Sequence, residues 1–324
     1  MPLVNGTEPK IEIFKPFGEA FELMKKILFQ PFDLTKWLVI GFAAFLANLF
    51  GGIHFNFPTN WNRGHWQPLS GNDWNAMINQ LPHWLRDPLF ITVVVILFVA
   101  LIVIFSWLSS RGRFIFTDCI VKNRGAIVAP WRDFRKEGNS YFLFRLLIAV
   151  LFLIIAGFIA FGFVAVLWLK HKGLSDHLGF ATIFCTVFVA LIFFFLALAC
   201  TVILHFMLPV MYRRRCRAVK AFGIVGSLIT EFPGEIVLYC LFFIVLAIAS
   251  ALVSCVLFCA TCCIAAIPYI GTVILLPIFV LLRAFSFCFL RQFGPDYDVW
   301  QGIPQPEPPP ITPVQPPIPP PLQA

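Results

Sequence analysis

Long apolar runs alternate with short polar segments along most of the chain. A run of about 20 residues is long enough to cross a bilayer as a helix. Six runs approach or exceed that length, and they cover residues 34–52, 88–108, 142–169, 178–209, 235–266 and 270–290. The pattern predicts an all-α protein, a polytopic membrane helical bundle with six transmembrane helices.

The segment before the first run, residues 13–30, has a different pattern, in which apolar residues recur at helical spacing. Phe14, Phe17 and Phe21 fall on one face of the predicted helix, and charged residues fall on the other. Such an amphipathic helix lies in the membrane interface and does not cross it. Asp33 or Thr35 can cap the helix that follows.

Three prolines stand at comparable places in this pattern. Pro31, Pro130 and Pro233 are about one hundred residues apart, each between an amphipathic segment and an odd-numbered run. This spacing favours three interfacial helices and a three-fold repeat of a two-span unit. Evenly spaced spans without a repeat would give the same pattern, so both explanations remain open.

The same pattern divides the chain into three parts. They are an N-terminal segment with the interfacial helix (1–33), a six-span membrane domain (34–291) and a tail (292–324). Proline dominates residues 304–321, which favours an extended, largely disordered tail. The tail is either a spacer or a ligand for a groove in a partner protein.

Composition supports the membrane prediction. The chain is 60% hydrophobic and only 12% charged, whereas soluble domains carry about 25% charged residues. The net charge of +8 would suit nucleic acid, but the basic residues cluster at the ends of the runs. We therefore expect membrane lipids, through their anionic headgroups, as partners and no nucleic acid.

Basic residues are concentrated in two segments that join apolar runs. Residues 213–220 contain five of them, and residues 111–145 contain eight: Arg111, Arg113, Lys122, Arg124, Arg132, Arg135, Lys136 and Arg145. Short loops rich in Lys and Arg stay in the cytoplasm. The protein is therefore predicted to be multi-pass, with its N- and C-termini and its lipid-binding charges on the cytoplasmic side.

Arg283 is the most informative single residue, because it lies inside the sixth run. A guanidinium at this depth can extend to the headgroups along its aliphatic stem. Alternatively it pairs with Asp118, Glu235 or Asp296, or binds a lipid phosphate held between helices.

Three thiols recur at helical spacing near the end of the fifth run. Cys255, Cys259 and Cys262 would share one helix face and are weak candidates for a soft-metal site. Small residues also occur at such spacing where helices pack closely. We expect that no metal is bound and that no cofactor is present.

Chemistry on lipid headgroups would need the one concentrated polar set, which is Asp118, Arg124, Arg132 and Glu137. An ordinary solvated loop would have the same composition. The chain contains none of the common hydrolase or nucleotide-binding motifs, and its apolar runs hold no paired carboxylates. We therefore expect that the protein is not an enzyme.

Three segments carry a resemblance to a known family. They are FQPFDLTKWLVIGF (29–42), RGRFIFTDCIVKNRGAIVAPWRDFRKEGNSYFLF (111–144) and PYIGTVILLPIFVLLRAFSFCFLRQFGPDYDVW (268–300). They resemble a bacterial family of uncharacterised integral membrane proteins, which implies the cytoplasmic (inner) membrane. More remotely, the layout is similar to the membrane domain of some glycerophosphoryl diester phosphodiesterases. This chain lacks their catalytic module, so the resemblance does not imply phosphodiester hydrolysis.

Three functions remain open from the sequence. The leading hypothesis is a non-catalytic membrane protein that interacts with lipid or with a partner protein. The alternatives are a transporter or channel for an amphiphile or small solute, and a membrane enzyme that acts on lipid headgroups.

Overall fold

The computed structural model describes residues 12–49, 87–171, 176–261 and 267–301. These residues form helices joined by short loops, and they contain no β-strand. In chain order the α-helices are α1 (Phe14–Leu28), α2 (Leu34–Asn48), α3 (Pro88–Val121), α4 (Val128–Asp133), α5 (Arg135–His171), α6 (Asp176–Arg214), α7 (Ala218–Glu231), α8 (Pro233–Ala260), α9 (Pro268–Ile274) and α10 (Leu276–Arg291). A short 3₁₀ helix, Pro295–Tyr297, follows them.

The first two helices form where the sequence predicts them. The amphipathic pattern of residues 13–30 gives α1, which buries Ala20 and Ile27. Asp33, and not Thr35, caps α2, because its Oδ1 accepts hydrogen bonds from the backbone N–H of Thr35 and Lys36 at 2.8 and 3.3 Å. The cap satisfies donors that would otherwise be free at a helix start.

Four helices, α3, α5, α6 and α8, contain segments long and apolar enough to cross a membrane. The shortest of them, α8, has 28 residues and is about 42 Å long at 1.5 Å per residue. The runs predicted as the first and sixth spans differ. Helix α2 is apolar but has 15 residues, and residues 270–290 are divided between α9 and α10 at Leu275.

Each of the four long helices has an exposed apolar part and one end within a shared core. In α3 the side chains of residues 88–105 are exposed, whereas most of residues 109–121 are buried. The same core takes the first turns of α5 and α8 and the last turns of α6, with α1, α2, α7 and α10 packed around them. We call this core the buried end. The exposed parts have the apolar surface that suits a lipid environment.

Close packing of α2 against α3 depends on a glycine. A Cβ added to Gly112 would lie 2.6 Å from the backbone carbon of Leu46. Such a distance is shorter than carbon atoms tolerate, so only glycine lets the two helices approach at this point. Ser109 and Arg113 then reach the carbonyl oxygen of Ala47 at 3.0 and 3.3 Å.

The sixth apolar run begins within a short helix, since residues 268–274 form α9. Pro268 is the first residue of α9, where its missing N–H would have no helical partner. Helix α9 packs on α2: Tyr269 donates from its hydroxyl to the carbonyl of Leu38 at 3.1 Å, and Trp37 donates from Nε1 to the carbonyl of Val273 at 3.1 Å.

The first and last described α-helices pack against each other. Arg291 of α10 forms a salt bridge with Glu19 of α1 at 2.6 Å. Beyond it, the backbone N–H of Glu12 donates to Oε1 of Gln292, and Nε2 of Gln292 donates to the carbonyl of Glu12, both at 2.9 Å. Residues from the two ends of the described chain therefore complete the buried end together.

The residues just after α10 also pack on the buried end. Val299 is buried, and the ring centroids of Trp300 and Phe287 are 6.2 Å apart. Asp296 forms a salt bridge with Arg214 at 3.0 Å. The proline-dominated stretch, 304–321, lies outside the described residues, as does Cys262.

Candidate anion-binding sites at the buried end

Asp118 is a buried carboxylate with its partners in place. Lys122 lies 2.6 Å from its Oδ1 and Arg124 lies 3.1 Å from its Oδ2. The hydroxyl of Tyr212 donates to Oδ1 at 2.9 Å. A buried carboxylate is costly without such partners. Tyr212 belongs to α6, and Lys122 and Arg124 follow α3, so these contacts with Asp118 join α6 to α3 and to the loop after it. Asp118, which the sequence offered as a partner for Arg283, is therefore paired with Lys122 and Arg124 instead, and its carboxylate is enclosed.

Glu137 belongs to a neighbouring set of contacts. The ring of Phe134 stacks on the ring of Tyr212 with centroids 4.7 Å apart. The Cζ atom of Arg215 lies 3.7 Å from the centroid of the Phe134 ring. Arg215 also approaches Glu137 at 3.8 Å and donates to the carbonyl of Asp133 at 2.8 Å. Glu137 thus pairs with Arg215 and has no contact with Asp118.

The polar set considered for headgroup chemistry is consequently divided among three places. Asp118 pairs with Arg124, Glu137 pairs with Arg215, and Arg132 lines a separate cleft. The four side chains do not converge on one reacting position, which an acid–base mechanism would need.

That cleft has a volume of about 470 Å³ and lies between α3, α4 and the start of α5. Its lining residues are two tryptophans and three arginines: Trp107, Arg111, Trp131, Arg132 and Arg135. None of the five is acidic. We call it the Trp–Arg cleft.

Arg111 is held between the two indoles. Its Cζ lies 4.5 Å from the centroid of the Trp107 ring and 4.8 Å from that of Trp131. The two rings meet edge to face, with centroids 5.8 Å apart. Both contacts have the distances of cation–π interactions, which favour the charged guanidinium at this position.

Arg132 and Arg135 complete the cleft with exposed guanidinium groups. Neither has a salt bridge to a carboxylate within the described ranges. The charge of Arg135 also acts on Arg111. Three like charges around one opening produce a positive potential that attracts an anion.

Arg283 lies on α10 with its guanidinium directed into the bundle. None of its three suggested carboxylate partners pairs with it in the described part of the chain: Asp118 and Asp296 bind other cations, and Glu235 lies in the first turn of α8. Its Nη1 is buried and has no hydrogen-bond acceptor there. The charged groups that act on it include Arg113, which is also positive.

The suggested metal ligands do not assemble in the part that the structure describes. Within residues 12–49, 87–171, 176–261 and 267–301, no group of His, Cys, Asp and Glu could hold a metal ion. Cys255 is half-buried and Cys259 is exposed. The prediction for Cys262 falls outside these ranges.

Trp107 and Trp131 could not be recognised as neighbours from the sequence pattern. One local signal was present, because Trp107 and Arg111 are four residues apart and share a helix face. The other half of the cleft comes from α4 and α5, and their position depends on tertiary packing. Arg132 could be named from the sequence alone, while its neighbours in the cleft could not be identified from spacing.

These features define a class, namely an all-helical protein with four helices able to cross a membrane and arginines where those helices enter a common core. The chain belongs to a family of unknown function, DUF7544, whose model matches residues 12–299. Neither a curated protein nor a solved structure matches the chain.

Proposed function

We propose that this protein is a non-catalytic, multi-pass protein of the bacterial inner membrane that binds anionic phospholipid headgroups at the Trp–Arg cleft. The observation that supports the proposal is the lining of the cleft, where three guanidinium groups meet two indoles without an acidic residue. Guanidinium groups bind phosphate through paired hydrogen bonds and charge.

The depth of the cleft also suits a headgroup. Trp107 follows Phe105, the last exposed residue of the apolar part of α3, and precedes the buried residues that begin at Ser109. Indoles prefer the region between hydrocarbon and water because they present an apolar ring and a polar N–H. A lipid at this level would place its phosphate beside Arg132 and its acyl chains along the apolar part of α3.

The arginines would have different tasks. Arg111 already donates from Nε and Nη2 to Asn139, so it supplies a fixed charge. Arg132 and Arg135 are exposed and supply hydrogen-bond donors to the phosphate. A zwitterionic headgroup would bring its own cation into this positive region, so a net negative headgroup binds better.

The orientation follows the distribution of charge. On this proposal the two basic segments face the cytoplasm, and the cleft selects lipid from the cytoplasmic leaflet. The paired layout of α1 with α2, α4 with α5, and α7 with α8 is compatible with three repeats of an interfacial helix and a span. A bundle of six spans would need α2 and the α9–α10 segment to cross as well.

Lipid titration followed by native mass spectrometry tests the proposal. Protein in detergent receives either phosphatidylglycerol or phosphatidylcholine, and the bound fraction is measured for each. We expect preference for phosphatidylglycerol, and a decrease of at least about tenfold in its affinity for Arg132→Gln/Arg135→Gln, since the loss of even one charge-assisted hydrogen bond costs about 1.5–3 kcal/mol.

The matched control is Arg217→Gln/Lys220→Gln, which removes two exposed positive charges elsewhere on the buried end. It should leave the affinity within about twofold, since exposed charges away from the ligand are screened. Equal losses in both double variants would mean that total charge, and not the Trp–Arg cleft, determines binding.

A further inference from the structure

A second group of basic side chains lies inside the bundle, away from the Trp–Arg cleft. It comprises Arg113 on α3, Arg145 on α5, His205 on α6 and Arg283 on α10. The charge of Arg113 acts on Arg145, on Arg283 and on His205, and that of Arg283 also acts on His205. Four helices thus direct basic groups toward one region.

Neutral acceptors hold Arg113 in this region. Its Nε donates to the carbonyl of Ala47 at 3.3 Å, and its Nη1 donates to the hydroxyl of Tyr141 at 3.1 Å. Tyr141 in turn donates to the carbonyl of Leu204 at 3.2 Å. These bonds fix the guanidinium while leaving its positive charge uncompensated.

His205 and the residues beside it are also joined through neutral groups. Nε2 of His205 lies 2.6 Å from the hydroxyl of Ser286, and the hydroxyl of Tyr239 lies 2.8 Å from the same oxygen. No carboxylate forms a salt bridge with Arg113 or Arg283 anywhere in the described ranges. In the described part of the chain, Arg113 and Arg283 therefore face neutral dipoles and no carboxylate counter-charge.

Within the described residues, Nη1 of Arg283 is a buried donor that has no hydrogen-bond acceptor. A buried N–H without an acceptor costs free energy, and the cost is greater for a charged group. An arginine that merely extended to the interface would have its guanidinium nitrogens in water. In Arg283 the Nη1 atom is buried beside Arg113, Tyr141 and Tyr239, which is the opposite arrangement.

The position of the group within the bundle indicates where a ligand would extend. Arg145 lies between Leu143 and Leu147, whose side chains are 62% and 65% exposed, at the point where α5 leaves the buried end. Arg283 as a whole residue is half-buried, whereas its Nη1 atom is enclosed. Beyond it are the exposed apolar parts of α5 and α6, which suit hydrocarbon chains.

We infer that Arg283 and Arg113 bind the phosphate group of an anionic ligand within the helix bundle, with Nη1 of Arg283 as a direct donor. A phosphate supplies the missing acceptor and relieves the repulsion between the two guanidinium groups. Phosphatidic acid and free inorganic phosphate share this chemistry. The apolar surface above the site favours the lipid.

Thermal unfolding of the full-length protein in detergent tests this inference in two arms, one with inorganic phosphate and one with short-chain phosphatidic acid. We expect phosphatidic acid to raise the Tm of the wild-type protein. An equal rise with inorganic phosphate would still support a phosphate site and would identify the free anion as its ligand. No rise in either arm would overturn the inference.

Two variants of Arg283 separate ligand binding from folding. Arg283→Met keeps an unbranched apolar stem and removes the unsatisfied donor, so the ligand-free protein should unfold at the same Tm or higher while the ligand-dependent rise falls to the part that binding at the Trp–Arg cleft contributes. Arg283→Lys keeps the charge and should retain part of the rise. A full ligand-dependent rise in Arg283→Met would overturn the assignment.

The Trp–Arg cleft provides the specificity control. Arg132→Gln/Arg135→Gln should lose headgroup binding at the cleft but keep the Arg283-dependent rise in Tm, because the two sites use different arginines. If this double variant abolishes the rise and Arg283→Met does not, then the phosphate binds at the cleft and the intrabundle site is refuted.

Discussion

Arg111 and Asn139 lie on separate helices, and both Nε and Nη2 of Arg111 donate to Oδ1 of Asn139, at 3.2 and 3.0 Å. Trp107 donates from Nε1 to the same oxygen at 3.1 Å. One neutral amide therefore fixes the arginine and one of its two indoles. Because the acceptor carries no charge, the positive charge of Arg111 remains available to a ligand.

Asn139→Asp tests this use of a neutral acceptor. The carboxylate keeps an oxygen for the three donors, so the Tm should be maintained or raised, but its charge cancels that of Arg111. We expect the affinity for phosphatidylglycerol to fall about three- to tenfold, which corresponds to roughly 0.7–1.4 kcal/mol. Native mass spectrometry with added lipid measures the change.

Asn139→Leu is the complementary variant, since it removes the acceptor without adding charge. It should destabilise the protein by about 1–3 kcal/mol, because Trp107 and Arg111 lose their common partner. Unchanged lipid affinity in Asn139→Asp, with destabilisation in Asn139→Leu, would restrict Asn139 to a structural role.

Asp118 offers a test of the buried carboxylate. Asp118→Asn leaves Lys122 and Arg124 without their counter-charge, but their side chains are 30% and 44% exposed and can turn toward water. We therefore expect a loss of about 2–3 kcal/mol in the free energy of unfolding, below the range for fully buried pairs. Denaturant titration of the purified protein measures it.

Asp133→Asn is the matched control for Asp118→Asn, since the Asp133 side chain is exposed and has no salt bridge in the described ranges. Its effect should be within about 0.5 kcal/mol, as is usual for surface substitutions. Similar losses in the two variants would show that Asp118 has no special part in stability.

Gly112→Ala should separate α2 from α3. The added Cβ meets backbone atoms that cannot rotate away, so we expect destabilisation of about 1–3 kcal/mol, as for other overpacked sites. Gly157→Ala is the control, because a Cβ there has no neighbour within 4 Å. It should stabilise α5 by about 0.5–1 kcal/mol through helix propensity. Equal Tm values for the two variants would contradict the close contact.

Reporter fusions test the orientation. Alkaline phosphatase fused after residue 122 should be inactive, because we expect the basic segment to remain in the reducing cytoplasm. The same reporter fused after residue 172 should be active. The reversed result would place the Trp–Arg cleft in the other leaflet and would refute the proposed choice of lipid.

Apolar runs and local caps in the sequence predicted several elements well. The amphipathic spacing of residues 13–30 predicted α1. Helices long enough to cross a membrane are present at four of the six apolar runs, namely those beginning at residues 88, 142, 178 and 235. The extension of α3 to Val121 was not predicted, because Arg111, Arg113 and Asp118 interrupt the apolar pattern and the segment was interpreted as a basic loop. Its continuation depends on α2, which packs at Gly112.

The surroundings of the candidate sites were harder to predict than the helices. The sequence shows Arg132 and Arg283 as charges near or within apolar runs, but the residues that surround them come from other helices. Trp131 approaches Arg111 because α4 folds back on α3. Arg113 approaches Arg283 because α10 enters the same core. Neither contact has a fixed spacing along the chain.

The pairing of α1 with α10 has a consequence for biosynthesis. The salt bridge between Glu19 and Arg291 joins an early helix to one that the ribosome completes 272 positions later. Until then α1 lacks the contacts of α10 and has earlier partners such as Phe242 of α8, whose ring centroid lies 5.8 Å from that of Phe14 and 5.7 Å from that of Phe17. The core would therefore close only after α10 has been made, so a chain that stalled before Leu276 would leave the α10-facing side of α1 available to chaperones and proteases.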